Sequence, residues 1–149
     1  GFVGGYQEAR AAWEQQGVRL DLRMILTTHY HHDHAGGNLE LAACFPGVEV
    51  VGGLLDPVAG ATRRCKHHET LQLGETPVTV LFTPGHTRGH VMFYCARGEA
   101  AKSPPEAVLF TGDCLFVAGV GKFFEGTPAQ MHFNMKMLLE ELPGGCLVF

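Results

Sequence analysis

No run of apolar residues in this chain approaches the ~18 that a membrane-crossing helix needs. A basic stripe is missing too. Lys and Arg number 11 against 15 Asp and Glu, so the net charge is −4. Membrane insertion and nucleic-acid binding are therefore not expected. No CxxC pair occurs. The five cysteines, Cys44, Cys65, Cys95, Cys114 and Cys146, are scattered and odd in number. That pattern excludes a disulfide scaffold and fits reduced thiols, with the cytoplasm or a mitochondrion as the expected compartment. Internal repeats and low-complexity tracts are absent, which excludes a solenoid or a disordered tail. The chain begins at Gly1 and not at Met, which leaves room for a targeting segment before it.

What is present suits one globular domain over residues 1–149. At 46% hydrophobic, a chain of this length can bury roughly two thirds of its unfolded surface. Helices are predicted over Gly5–Gln16, ended at Gly17, over Asn38–Cys44 with Asn38 as the cap, and after Thr127-Pro128, where a capping residue precedes a favourable first helical position. Met131, Met135, Leu138, Leu139 and Leu142 give that last helix an apolar stripe suited to core packing. Strands are predicted at Arg23–Thr28, Val48–Gly52, Thr70–Leu73, Val78–Thr83, His90–Ala96, Val108–Thr111 and from Cys146 onward. Arg97–Pro105 reads as a loop. Leu54–His68 is poorly patterned, with Arg63, Arg64 and Lys66 forming a solvated face. Alternating strands and helices make the class α/β.

The most concentrated chemistry is Thr28-His29-Tyr30-His31-His32-Asp33-His34, which follows the apolar run Met24-Ile25-Leu26 and leads into Gly36-Gly37. In an extended segment alternate side chains share a face, so His29 and His31 would converge on one point. Asp33 and His34 follow where the chain turns and would address a second point nearby. Imidazole and carboxylate suit zinc, iron or manganese, and the spacing suggests two adjacent ions. Two further segments look like site loops: Thr83-Pro84-Gly85-His86-Thr87-Arg88-Gly89-His90, and Thr111-Gly112-Asp113. Each sets one strong ligand beside glycine at a strand end.

These three motifs, HxHxDH from His29 to His34, TPGHTxGH from Thr83 to His90 and TGD from Thr111 to Asp113, resemble the metallo-β-lactamase superfamily. The stretch from Gly112 to Thr127, Gly-Asp-Cys-Leu-Phe-Val-Ala-Gly-Val-Gly-Lys-Phe-Phe-Glu-Gly-Thr, is similar to its glyoxalase II branch, the hydroxyacylglutathione hydrolases. The resemblance covers essentially the whole chain. It implies an αββα sandwich, incomplete here because the family has a strand pair before the first helix and a C-terminal helical region. It implies His29, His31 and His86 around a first metal, Asp33 and His34 on a second, and Asp113 bridging both. The family adds one more histidine from a Gly-His-Glu-Tyr segment after the strand in which this chain stops. Zinc is the expected metal, with iron or manganese compatible.

The reaction implied is hydrolysis of a thioester of the lactoylglutathione type by water activated between the two ions, with Asp113 orienting the nucleophile and Asp33 beside it. By the same resemblance Lys122 would meet a glutathione carboxylate. Phe124 stands where the family commonly has tyrosine, a loss of one hydrogen bond worth about 1 kcal/mol. Cys114 replaces the branch's usual threonine and has no expected catalytic role. His32 replaces tryptophan and is expected to point away from the metals. His90 is expected to pack or hydrogen-bond, and His67, His68 and His132 have no assigned partner. The expected partner is a small glutathione thioester, and the expected state is a monomer. A mononuclear-iron persulfide dioxygenase on the same fold and a truncated non-catalytic relative remain as alternatives.

Overall fold

A computed structural model describes residues 2–96 and 107–149. The loop expected at Arg97–Pro105 lies outside the described residues. The elements run α1 (Phe2–Glu14), β1 (Met24–Leu26), α2 (His32–Ala35), α3 (Asn38–Cys44), β2 (Glu49–Gly53), β3 (Arg63–Cys65), β4 (Thr70–Leu73), β5 (Thr76–Phe82), β6 (Val91–Ala96), β7 (Ala107–Phe110), α4 (Pro128–Glu141) and β8 (Leu147–Val148). They form two sheets. The first is parallel, in the order β1-β2-β3. The second is β4-β5-β6-β7-β8, antiparallel from β4 to β7 with β8 parallel to β7.

The layering follows from which side chains each strand sends to which face. On β5, Val78 and Val80 join Val91 and Phe93 of β6 and Val51 of β2 in a core between the two sheets. Leu81 and Met92, offset by one residue, point the other way and pack with Leu109, Met131, Met137 and Leu138 under α4. On β2, Val50 turns from the central core toward Ala35 and Val58, against α3. Strands buried on both faces read as continuous apolar runs. The result is helix, sheet, sheet, helix, with α1 held to α3 partly through an edge contact of Tyr6 and Phe45 at 4.8 Å.

Several elements differ from the expectation. The poorly patterned Leu54–His68 contains β3, concealed by the adjacent Arg63 and Arg64. Arg63 is tethered to Glu69 at 3.0 Å, while Cys65 is buried in the central core. Asn38 does not cap α3; Gly37 precedes the helix, and the Asn38 amide instead donates to the Thr27 hydroxyl and the Ala59 carbonyl, both at 3.0 Å. On α4, Leu139 is 85% exposed and the buried face is Met131, Asn134, Met137 and Leu138. The helix turns this polar asparagine inward because its amide donates to the Pro84 carbonyl at 2.8 Å.

The start of α4 is as expected. Thr127 accepts from the Gln130 main chain and the Gln130 side chain accepts from the Thr127 main chain, a reciprocal capping box. Thr127→Ala should cost about 1 kcal/mol. It should lower the thermal midpoint by a few degrees, and an unchanged midpoint would show that the helix start is held by other groups.

Candidate metal centre

Three loops at one end of the sandwich carry the candidate ligands to one place. His29, His31 and His34 leave the end of β1. They do not lie on an extended strand as expected: residues 28–31 bend, and His31 takes the N-cap position of α2 with φ −58 and ψ 149. The bend still brings the rings together. His29 lies 4.7 Å from His31 and 4.1 Å from His34, centroid to centroid. His86 comes from the β5–β6 loop and sits 4.8 Å from both His29 and His31. Asp113 follows β7 after a left-handed Gly112, φ +48.

Two groups of ligand atoms result, each within 4.8 Å of one another: His29, His31 and His86, and His29, His34 and Asp113. The Asp113 carboxylate stands between them. Its Oδ1 is 3.0 Å from His34 Nε2, and its Oδ2 is 3.3 Å from His86 Nε2. Asp33 stands apart from both groups. Its side chain is 77% exposed, with a carboxylate oxygen 3.6 Å from His34 Nε2.

The imidazoles are set up to present lone pairs. His86 Nδ1–H donates to the Lys122 main-chain carbonyl at 2.8 Å. A carbonyl only accepts, so in the neutral tautomer this bond selects, His86 Nε2 carries the lone pair, 3.0 Å from His31 Nδ1. His29 Nδ1 pairs with the Thr28 hydroxyl at 3.1 Å. Burial, reinforced by His90 and the other histidines around it, pushes the His29 pKa down to about 2, so the ring is neutral. Its Nε2 is buried with no hydrogen-bond partner among the described residues. A neutral, orphaned nitrogen at the meeting point of two donor groups fits a divalent metal, and so does the N/O chemistry of the set.

The remaining sequence-selected residues surround this cluster. His90 is fully buried, bonded to the Thr83 hydroxyl at 2.9 Å and stacked at 5.1 Å on His29. His32 is exposed and belongs to neither group. Lys122 lies over the Phe124 ring at 4.9 Å, and that ring packs edge-on to His86 and His31. Phe124 lines a cleft of about 650 Å³ that also touches Tyr30, His31, His86 and Asp113. Cys114 is buried, its thiol pushed up to about 11 by burial, and it contacts Met131 Sδ at 3.5 Å; this is a packing role. His67 and His68 lie away from the cluster. His67 accepts from the Phe82 main chain, and His68 pairs with Glu141 at 3.1 Å.

Two acidic residues beside the cluster are given no role by the sequence pattern. Asp56 is buried and accepts bonds from Tyr30, Thr87 and Gly89; burial raises its pKa against the pull of those three bonds. Glu125 accepts from the Tyr30 hydroxyl and from the Arg88 main chain, which hold its carboxyl below the usual range. The one available signal for Asp56 is its place as an isolated acid between Leu54-Leu55 and Pro57-Val58.

Comparison with known proteins finds that a family model described as the Metallo-beta-lactamase superfamily matches residues 4–145. A probable hydroxyacylglutathione hydrolase of Schizosaccharomyces pombe is 43% identical over 130 residues, 87% of this chain and 48% of the relative. The cytoplasmic hydroxyacylglutathione hydrolase of Arabidopsis thaliana is 44% identical over 123 residues, 82% of this chain and 46% of the relative. The chain thus spans about half the length of the curated relatives it matches. Among solved structures, ETHE1 from Myxococcus xanthus superposes with a TM-score of 0.75 at 27% identity, covering 97% of this chain and 60% of that one.

Proposed function

The chain belongs to the metallo-beta-lactamase superfamily, and from that premise we propose that it carries most of the metal centre of a thioester hydrolase of the hydroxyacylglutathione hydrolase type. The observation that carries the proposal is the Asp113 carboxylate, which turns one oxygen to His34 and the other to His86. Placed so, Asp113 would be shared by the two ligand groups if each held an ion. His29, His31 and His86 would hold the first ion, Asp33 and His34 the second, with zinc the expected metal. Asp33 is exposed and would have to turn inward to join.

Such ions, when bound, lower the pKa of water to about 7 and polarise an acyl carbonyl. The chain's own residues do the rest. The Lys122 carbonyl keeps the His86 proton on Nδ1, so its Nε2 faces the centre. Asp113 would accept a hydrogen bond from the attacking water and so aim its lone pair at the thioester carbon. The Phe124 ring lines the cleft where a glutathione moiety would lie, and the Lys122 ammonium, held over that ring, would meet its carboxylate. The sulfur would leave as a thiolate, and because water is the nucleophile no serine or cysteine nucleophile is needed. Five free thiols suit a reducing compartment such as the cytoplasm. Among the described residues no helix is long and apolar enough to cross a membrane.

The test is to supply the full-length protein with S-lactoylglutathione and to count its metal ions. Release of free thiol with two ions per chain is the expected outcome. Oxygen uptake with glutathione persulfide and one iron per chain would replace this reading with the dioxygenase. Neither activity, with no metal retained, would leave a non-catalytic relative.

A further inference from the structure

The segment between β2 and β3 has no regular pattern, yet it delivers a carboxylate that is 1% exposed. Asp56 Oδ2 accepts from the Tyr30 main-chain N–H at 3.3 Å and from the Thr87 hydroxyl at 2.8 Å. Asp56 Oδ1 accepts from the Gly89 main-chain N–H at 2.8 Å. Tyr30 stands between His29 and His31. Thr87 follows His86, and Gly89 precedes His90. One buried group therefore grips both ligand-bearing loops at three points. No cation lies within ion-pair distance of it among the described residues, so its charge is met only by these donors.

The fit leaves no slack. A Cβ at Gly89 would fall 2.3 Å from the Asp56 main-chain nitrogen and 2.4 Å from its Oδ1. A Cβ at Gly53 would fall 2.3 Å from the Gly89 carbonyl oxygen. From the open side, Glu125 takes the Tyr30 hydroxyl on one oxygen and the Arg88 main-chain N–H on the other. Tyr30 and residues 87–89 are thus pinned between two carboxylates, of which Asp56 is the deeper. Neither carboxylate belongs to the ligand groups.

We infer that Asp56 is a positioning residue of the metal centre: by tying Tyr30 to Thr87 and Gly89 it sets His29 and His31 at the correct separation from His86. This rests on the metal-centre reading above and deepens it. A buried carboxylate of this kind is expensive where packing alone is required, and an aliphatic side chain would fill the same space. Its geometry is explained by the donors it holds in register. Groups that orient ligands without touching the metal typically set affinity by about ten- to a hundredfold.

The decisive experiment uses the full-length protein stripped of metal, with Asp56→Asn and Thr87→Val beside the wild type. Zinc affinity is measured by competition with a chromophoric chelator, and the thermal midpoint of each metal-free protein is recorded separately. Asn keeps the volume but turns an amide N–H toward donors, so Asp56→Asn should bind zinc about ten- to a hundredfold more weakly. Thr87→Val removes one donor of three and should weaken zinc in the same direction by less. If Asp56→Asn lowers the metal-free midpoint while zinc affinity stays within about twofold of the wild type, Asp56 is merely structural and the inference falls. If Asp56→Asn does not fold, Thr87→Val decides, and unchanged affinity there also overturns it. A wild type that binds zinc without cleaving thioesters defeats the hydrolase reading alone, because the zinc measurement still stands. A wild type that binds no zinc overturns both.

Discussion

Replacing His29 with alanine is expected to abolish zinc binding and thioester hydrolysis together while leaving the fold intact. His29 is the one residue common to both convergent ligand groups. Its ring is fully buried and neutral, and its Nε2 has no partner among the described residues. A buried polar atom left unpaired costs about 1–3 kcal/mol, a cost that a bound ion would remove. In the metal-free protein, His29→Ala deletes that orphan along with the ring, so the loss from the cavity is partly offset. The loaded state behaves differently. A ligand at a thousandfold excess over its Kd stabilises the fold by about 4 kcal/mol. The wild type should show this as a zinc-dependent rise in thermal midpoint, and His29→Ala should show none. His86→Ala should behave likewise, since it removes the nitrogen between His31 and Asp113. Full turnover, or an undiminished zinc-dependent rise, in either variant would exclude that histidine from the centre.

Much of this cluster is legible in the sequence because its candidate ligands are dense there. Four histidines and an aspartate within six residues are seldom brought together except to hold metal, and His86 and Asp113 gain meaning once that cluster demands more donors. The convergence itself has a different local cause from the alternating strand that the spacing suggests. A bend and a helical turn from His31 bring His29 and His34 within 4.1 Å. Two kinds of feature are hidden. Strand β3 is masked by Arg63 and Arg64, because Arg63 spends its head group on ion pairs with Glu49 and Glu69 while only Cys65 enters the core. Asp56 is masked because two of its three donors are main-chain N–H groups, which almost any residue supplies. Side-chain identity marks candidate ligands well. It marks poorly the groups that hold backbone in place, and Asn134 under Pro84 is a second example.

Backbone packed on backbone is also where the largest effect from the smallest change is expected. Gly121→Ala should cut kcat/KM by about a hundredfold, the penalty associated with a misplacement of about 1 Å at a reacting centre. An added Cβ would lie 1.9 Å from the Asp113 carbonyl oxygen and 2.9 Å from its carbon, with His86 Nδ1 at 3.2 Å. Neither main chain has a flexible end that can yield, so the 119–126 loop must lift. Lifting it draws the Lys122 carbonyl away from His86 Nδ1 and strains the bond from the Gly126 N–H to the Gly85 carbonyl, now 2.9 Å. His86 would lose the acceptor that keeps its Nε2 bare, and Asp113 would be pushed from below. Overpacking of this sort costs typically about 1–3 kcal/mol in stability, so the variant should fold, with a lowered midpoint and weaker zinc binding. Gly119→Ala is the matched control. A Cβ there meets nothing within 4 Å, and its kinetics should match the wild type. If Gly121→Ala proved as active as Gly119→Ala, the loop would have slack that the contacts do not show, and the Lys122 carbonyl could not be what orients His86.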